Sequence, residues 1–93
     1  MISKMFIPKK VQKTIRKFPK STRCKLDVLI DDLKKYHISD LRGKWKIEKM
    51  LYDKEIFRAK IDYSHRLAFT FDKGQVIILD CNTREKFVYH GGN

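Results

Sequence analysis

The chemistry open to this sequence rests on cations spaced two residues apart. Arg58 and Lys60 lie within Ile56-Phe57-Arg58-Ala59-Lys60-Ile61-Asp62. Strict alternation there predicts a strand with Arg58, Lys60 and Asp62 on one face and Phe57, Ala59 and Ile61 on the other. At i, i+2 spacing the two cations stand about 7 Å apart. Arg66 opens the next predicted strand, where antiparallel pairing brings it beside them, and Arg84 and Tyr89 follow a third strand, from which the chain can return over the same face. Such a set suits a phosphate-rich ligand: Arg offers a planar donor fork, Lys a compact charge, and Tyr a hydroxyl that donates, shares a proton or stacks on a base. The competing reading is the solvated face of a half-buried sheet, and the pattern alone does not choose between them. Four glycines and three scattered histidines supply no phosphate-binding Gly loop, metal-ligand cluster or nucleophile elbow.

The elements that must position these residues change character near residue 55. Met5-Phe6-Ile7 before Pro8 reads as a short first strand or the start of a helix. Val11, Ile15 and Phe18 then recur at helical spacing until Pro19 stops the run. Ser21 or Thr22 can cap a second helix that buries Leu26, Leu29, Ile30 and Leu33 and closes at Tyr36 or His37. Ser39-Asp40 and Arg42-Gly43 predict a turn-rich connection, and Trp45, Ile47 and Met50 pack from either a short strand or a loop. After the strand over 56–62, Tyr63-Ser64-His65 reads as a turn, 66–71 as a strand, Asp72-Lys73-Gly74 as a hairpin turn and 75–81 as a buried strand. Residues 84–90 form a last short strand or an extended tail. The expected architecture is a single domain over 1–93, α+β in class, ordered β-α-α-β-β-β, with a helical hairpin packed on a small antiparallel sheet.

Ninety-three residues and 11.2 kDa leave no room for a multidomain enzyme, and a formal charge of +11 points to a polyanion or an acidic protein partner. The charge is concentrated: residues 1–25 hold nine basic side chains and no acid, whereas 26–93 hold thirteen basic and eleven acidic ones. Lys9, Lys10, Lys13, Arg16 and Lys17 read either as a solvated helix face or as a surface that tracks RNA phosphates. The longest apolar run, Val76 to Leu79, is far too short for a membrane span, and no signal-peptide core follows Met1. Cys24 and Cys81 have no metal spacing and read as buried thiols, in keeping with a cytoplasmic location. Trp45 reads as a packing residue, His37 as a helix C-terminal cap and His65 as a solvated turn residue.

Four segments together carry a family resemblance. Lys46-Ile47-Glu48-Lys49-Met50, then Phe57-Arg58-Ala59-Lys60-Ile61, then Arg66-Leu67-Ala68-Phe69, and finally Arg84 to Tyr89 resemble the RelE/ParE toxin superfamily in order and spacing. The resemblance implies the RelE-like fold and the toxin half of a toxin–antitoxin pair, whose partners are a cognate acidic antitoxin, the ribosome and mRNA. It further implies a ribosome-dependent mRNA endoribonuclease that inhibits translation without metal or cofactor, the ribose 2′-OH attacking the adjacent phosphorus. By position, Arg58 and Lys60 match the first cationic pair, Arg66 the hairpin arginine, Arg84 the late arginine and Tyr89 the terminal tyrosine. In that reading Arg66 and Arg84 stabilise the phosphorane, and Lys60 or Tyr89 helps remove the 2′-OH proton. The chain departs from the family pattern at His65, where an aromatic often precedes the arginine, and at Leu51-Tyr52, which replace a usual glycine. Glu85 and His90 stay open as acid or base. A ParE-like inhibitor of DNA gyrase and an inactive basic nucleic-acid-binding relative are the alternative readings.

Overall fold

The computed structural model describes residues 4–50 and 55–89, in the order β1 (Lys4–Phe6), α1 (Lys9–Arg16), α2 (Lys20–Lys35), α3 (Ile38–Trp45), β2 (Glu48–Lys49), β3 (Phe57–Asp62), β4 (His65–Asp72) and β5 (Gln75–Thr83). The strands form one sheet in the order β1-β5-β4-β3-β2, and every pair is antiparallel except β1 with β5. The α+β class and the helix-on-sheet arrangement are as expected. The parallel β1 makes the sheet mixed, because the helical layer carries the chain back to the sheet's far side before the antiparallel strands begin.

Each helix is placed by a few apolar side chains. Pro8 and Pro19 stand at the N-cap positions of α1 and α2, neither using a side-chain cap. Val11 and Phe18 from the first helical segment, and Leu26, Leu29 and Leu33 from α2, bury against Phe57, Ala59, Ile61, Leu67, Phe69, Val76 and Ile78 of the sheet. The stretch expected to be turn-rich is the helix α3. Its polar Ser39-Asp40 and Gly43 face outward, while Leu41 and Trp45, four residues apart, are buried. Tertiary burial of that pair outweighs the local turn preference. Lys46 ends the helix in the left-handed region (φ 50°), and the Ile47 amide returns to the Arg42 carbonyl at 3.2 Å. His37 thus precedes α3 instead of capping the end of α2, which is Tyr36.

A buried carboxylate joins α2 to α3. Asp32 of α2 accepts from Trp45 Nε1 at 2.9 Å and pairs with Lys44 Nζ at 2.9 Å. Burial alone would raise its pKa, yet the hydrogen bonds from Lys44 and Trp45 and the Lys44 charge hold it below the ordinary 3.8.

Two strand ends differ from expectation. β5 runs on to Thr83, and residues 84–86 turn where a further strand was one of the alternatives. The β4–β5 turn is tight: Lys73 and Gly74 both have positive φ (48° and 79°), as a type I′ hairpin requires. Three buried apolar residues, Met50, Ala68 and Phe87, stand outside the main cluster. Ala68 lies opposite Arg58 and Asp80, so it faces away from the helices. The tail after β5 crosses this second face: the Val88 amide donates to Asp80 Oδ2 at 3.3 Å. Cys81 is buried as read, but Cys24 is exposed on α2.

Two outcomes follow. Asp32→Asn weakens the Lys44 and Trp45 contacts and costs about 2 kcal/mol at neutral pH in urea unfolding. A carboxyl held low in the folded state contributes stability above its unfolded pKa and loses it as pH falls through the folded value. The difference between parent and variant therefore shrinks below about pH 4. Burial pushes the Cys81 thiol up to about 12. A thiol reagent at pH 8 accordingly labels Cys24 alone in the native protein and both cysteines in denaturant.

Candidate functional site

The site is built around the tip of the β3–β4 hairpin, where Asp62 organises the turn. Its Oδ1 accepts from the Ser64 amide at 3.0 Å and contacts His65 Nδ1 at 2.9 Å, while Oδ2 accepts from Thr22 Oγ1 of α2 at 2.8 Å. Pairing shifts register between Lys60 and Asp62, so Asp62 lies opposite His65. That irregularity re-aims the carboxylate toward the helical layer, away from the face it shares with Arg58 and Lys60 by simple alternation. His65 is buried in β4, not solvated in the turn, and its ring lies 4.5 Å from Phe18. Burial works against ionisation of Asp62, but the bonds from His65, Thr22 and the Ser64 amide outweigh it and hold the carboxyl below its ordinary value.

The ordered turn in turn fixes Arg66. Arg66 Nη1 donates to the carbonyls of Asp62, Tyr63 and His65 at 2.7, 3.0 and 3.0 Å. Those bonds use one nitrogen of the guanidinium and leave the others to meet a ligand. Lys60 stands directly opposite Arg66 on β3, and Asn82 opposite it on β5. One step along the sheet, Arg58 faces Glu48 across the β2–β3 pair and bonds it at 2.7 Å. Lys46, Glu48, Arg58, Ala59, Lys60 and Arg66 line a depression of about 240 Å³.

Arg84 joins from the other side of the hairpin. Its amide donates to the Ser64 carbonyl at 2.8 Å, and its guanidinium lies 4.7 Å from the centre of the Tyr63 ring. Lys60 Nζ lies 5.8 Å from the same ring. Among the described residues no carboxylate forms an ion pair with Lys60, Arg66 or Arg84, in contrast to Arg58. Burial, then the nearby charges of Arg84 and Arg58, lower the affinity of Arg66 for its proton. A site that makes a cation less comfortable alone gains more when an anion arrives.

Other expected residues fall elsewhere. Tyr89 packs against Phe87 with ring centres 6.0 Å apart, next to Val88 and its anchor on Asp80. No described hydrogen bond or cation–π contact links Tyr89 to the four cations. Glu85 is exposed in the 84–86 turn, and His90 lies outside the described residues, as do Leu51 and Tyr52. Lys9, Lys10, Lys13, Arg16 and Lys17 are exposed around α1, which packs through Val11 in the helical layer, so they form a surface separate from the depression. Lys46 and Tyr63 join the site without a role assigned to either by the sequence pattern. Lys46 was visible as the first residue of the Lys-Ile-Glu-Lys run, whereas nothing in the local pattern marked Tyr63. A larger cavity of about 550 Å³ lies by Leu33, Tyr36, Ile38, Phe57 and Phe71 on the helical side; its lining is mainly apolar, and the cationic row does not reach it.

No protein-family model and no curated protein matches the chain. Solved structures match in fold. The chain is similar to one from an archaeal RelE–RelB complex of Pyrococcus horikoshii, with TM-score 0.76 and 20% identity over 94% of this chain and 100% of that one. It is also similar to a chain of a YoeB–YefM complex from Staphylococcus aureus, with TM-score 0.70 and 20% identity over 88% and 95% of the two chains. A YoeB/ParE toxin from Agrobacterium tumefaciens aligns with TM-score 0.69 and 14% identity over 88% and 99%. The fold is the one that these toxin structures share.

Removing the organising carboxylate tests the local architecture. Asp62→Ala strands the Thr22 hydroxyl and the Ser64 amide and costs about 2 kcal/mol in chemical unfolding. Asp62→Asn loses less at neutral pH, and its deficit narrows below about pH 4, since a carboxyl held low loses its stabilising contribution as pH falls.

Proposed function

We propose that this chain is the toxin of a toxin–antitoxin pair and acts in the cytoplasm as a ribosome-dependent mRNA endoribonuclease. The observation that carries the reading is the Lys60–Arg66 cross-strand pair, with Arg84 beside it, on a toxin-like fold and without an ion-paired carboxylate among the described residues. A solvated sheet face has no need to crowd three cations and to tie one of them to three carbonyls. A phosphodiester does need that arrangement, because its charge rises in the transition state.

In the proposed reaction the ribose 2′-oxygen attacks the adjacent phosphorus, the bond to the 5′-oxygen breaks, and the products carry a 2′,3′-cyclic phosphate and a 5′-hydroxyl. The 2′-OH proton passes to a base and the leaving 5′-oxygen receives one from an acid. Arg66 is held ready by its backbone bonds, so its free N–H groups meet the developing phosphorane charge with little reorganisation. Arg84 contributes a second guanidinium, 4.7 Å from the centre of the Tyr63 ring. Lys60, opposite Arg66, is the cation nearest to act in proton transfer, with Tyr89, Glu85 and His90 as the other candidates. Arg58, restrained by Glu48, binds a flanking phosphate. The basic surface around α1 adds salt-sensitive attraction to ribosomal RNA. An acidic antitoxin neutralises the protein by covering this charge, a reading supported by the RelB and YefM complexes in which the similar chains occur.

Arg66→Ala and Arg84→Ala each lower mRNA cleavage by about 10² or more while the circular-dichroism spectrum stays that of the parent. The measurement is primer extension on mRNA in a purified translation reaction. Cuts that appear only with translating ribosomes support the proposal. Intact message with arrested DNA supercoiling overturns it in favour of a gyrase inhibitor, and no effect in either assay favours the inactive binding module.

A further inference from the structure

Tyr63 is the residue that the proposed chemistry leaves unexplained. It is 71% exposed at the tip of the β3–β4 hairpin, an unfavourable place for a large aromatic side chain. Its backbone, by contrast, is tied down. The Tyr63 carbonyl accepts from Arg66, the next amide is held by Asp62, and the Ser64 carbonyl accepts from Arg84. The ring is therefore carried on a rigid mount, and two cations from separate parts of the chain come to it: Arg84, in the turn after β5, at 4.7 Å and Lys60 of β3 at 5.8 Å from its centre.

We propose that Tyr63 is a positioning residue whose ring gathers Lys60 and Arg84 into one phosphate-binding pair. The inference rests on the phosphate reading of this face, which it deepens by naming what assembles the site. The physical need is plain. Lys60 and Arg84 repel each other, and neither has a carboxylate partner among the described residues to hold it in place. Without a restraint, each long side chain samples many rotamers and must be ordered when RNA binds. The negative face of an aromatic ring attracts both cations without cancelling either charge, which a carboxylate in the same position would do. Tyr63 thus lowers the ordering cost and leaves the full positive charge available. Arg66 is oriented through the backbone of the residue whose ring holds the other two, so all three cations are referenced to a single turn.

The hydroxyl has no part in this account, and that makes the role separable from proton transfer. Tyr63→Phe keeps the ring, and Tyr63→Leu keeps bulk without it. The probe is a short single-stranded RNA with 2′-O-methyl substitution throughout, which binds but offers no nucleophile. Expected is binding by Tyr63→Phe within twofold of the parent and by Tyr63→Leu about tenfold weaker. The Leu penalty should vanish when Lys60 and Arg84 are both already alanine. In the parent and the Phe variant, the Arg84 Nε–H resonance should be displaced by the ring current, and in the Leu variant it should return to an ordinary position. Equal binding by parent and Leu variant, a penalty that persists in the double-alanine background, or a parent that does not bind the oligonucleotide overturns the proposal. A parent that binds the probe but never cuts ribosomal message contradicts the nuclease reading and leaves this assignment standing.

Discussion

The Nη1 nitrogen of Arg66 meets three carbonyl oxygens, from Asp62, Tyr63 and His65, and the open face of the sheet is arranged around that contact. A two-residue turn brings carbonyls together only if its backbone is forced to. Asp62 does the forcing, through the Ser64 amide, His65 and the Thr22 hydroxyl of α2. The chain of cause therefore runs from the helical layer, through a half-buried carboxylate, to the orientation of a guanidinium on the opposite side of the sheet. The register shift between Lys60 and Asp62 makes this possible, since it lets one strand send cations to one face and the carboxylate to the other.

Assembling like charges destabilises a fold, and this one sets the cost against a core that lies elsewhere. The cations sit on the face opposite Leu29, Leu33, Phe69 and Ile78, so their repulsion works against a sheet already fixed from behind. Among the described residues, Arg58 alone of these cations forms an ion pair, with Glu48, and it stands on the flank of the row. The carboxylates Asp32 and Asp62 are turned into the helical layer, where they bond helices and turn and form no ion pair with Lys60, Arg66 or Arg84. The net +11 thus says less than its distribution. In the proposed function the dispersed basic surface around α1 attracts any polyanion, and the small ordered group selects one phosphate.

Period-two alternation placed Arg58 and Lys60 on the open face, and antiparallel pairing put Arg66 beside them, as the register shows. Those features are local in sequence, which is why they were legible. What escaped depends on contacts between distant residues. α3 forms because Leu41 and Trp45 find a place against α2 and the sheet, which a turn-forming composition conceals. His65 looked like a solvated turn residue because nothing nearby in sequence announces Phe18 as its neighbour. The parallel pairing of β1 with β5 joins residues about seventy positions apart. Tyr63 was hidden for the same reason, since its significance comes from Arg84, twenty-one residues later. The resemblance to RelE-like toxins anticipated the fold, while the proton-transfer partners were not visible in sequence and stay with the proposal.

The central claim is that a phosphate is held jointly by Arg66 and Arg84, and not by the basic helical surface. Its most direct measurement is a titration of isotopically labelled protein with a non-cleavable RNA at raised salt, following the arginine side-chain N–H resonances. The account predicts that Arg66 and Arg84 shift together, saturate at one common midpoint and keep their response as salt screens that of Arg16. If Arg16 and the α1 amides alone respond while Arg66 and Arg84 stay unmoved, the account is contradicted.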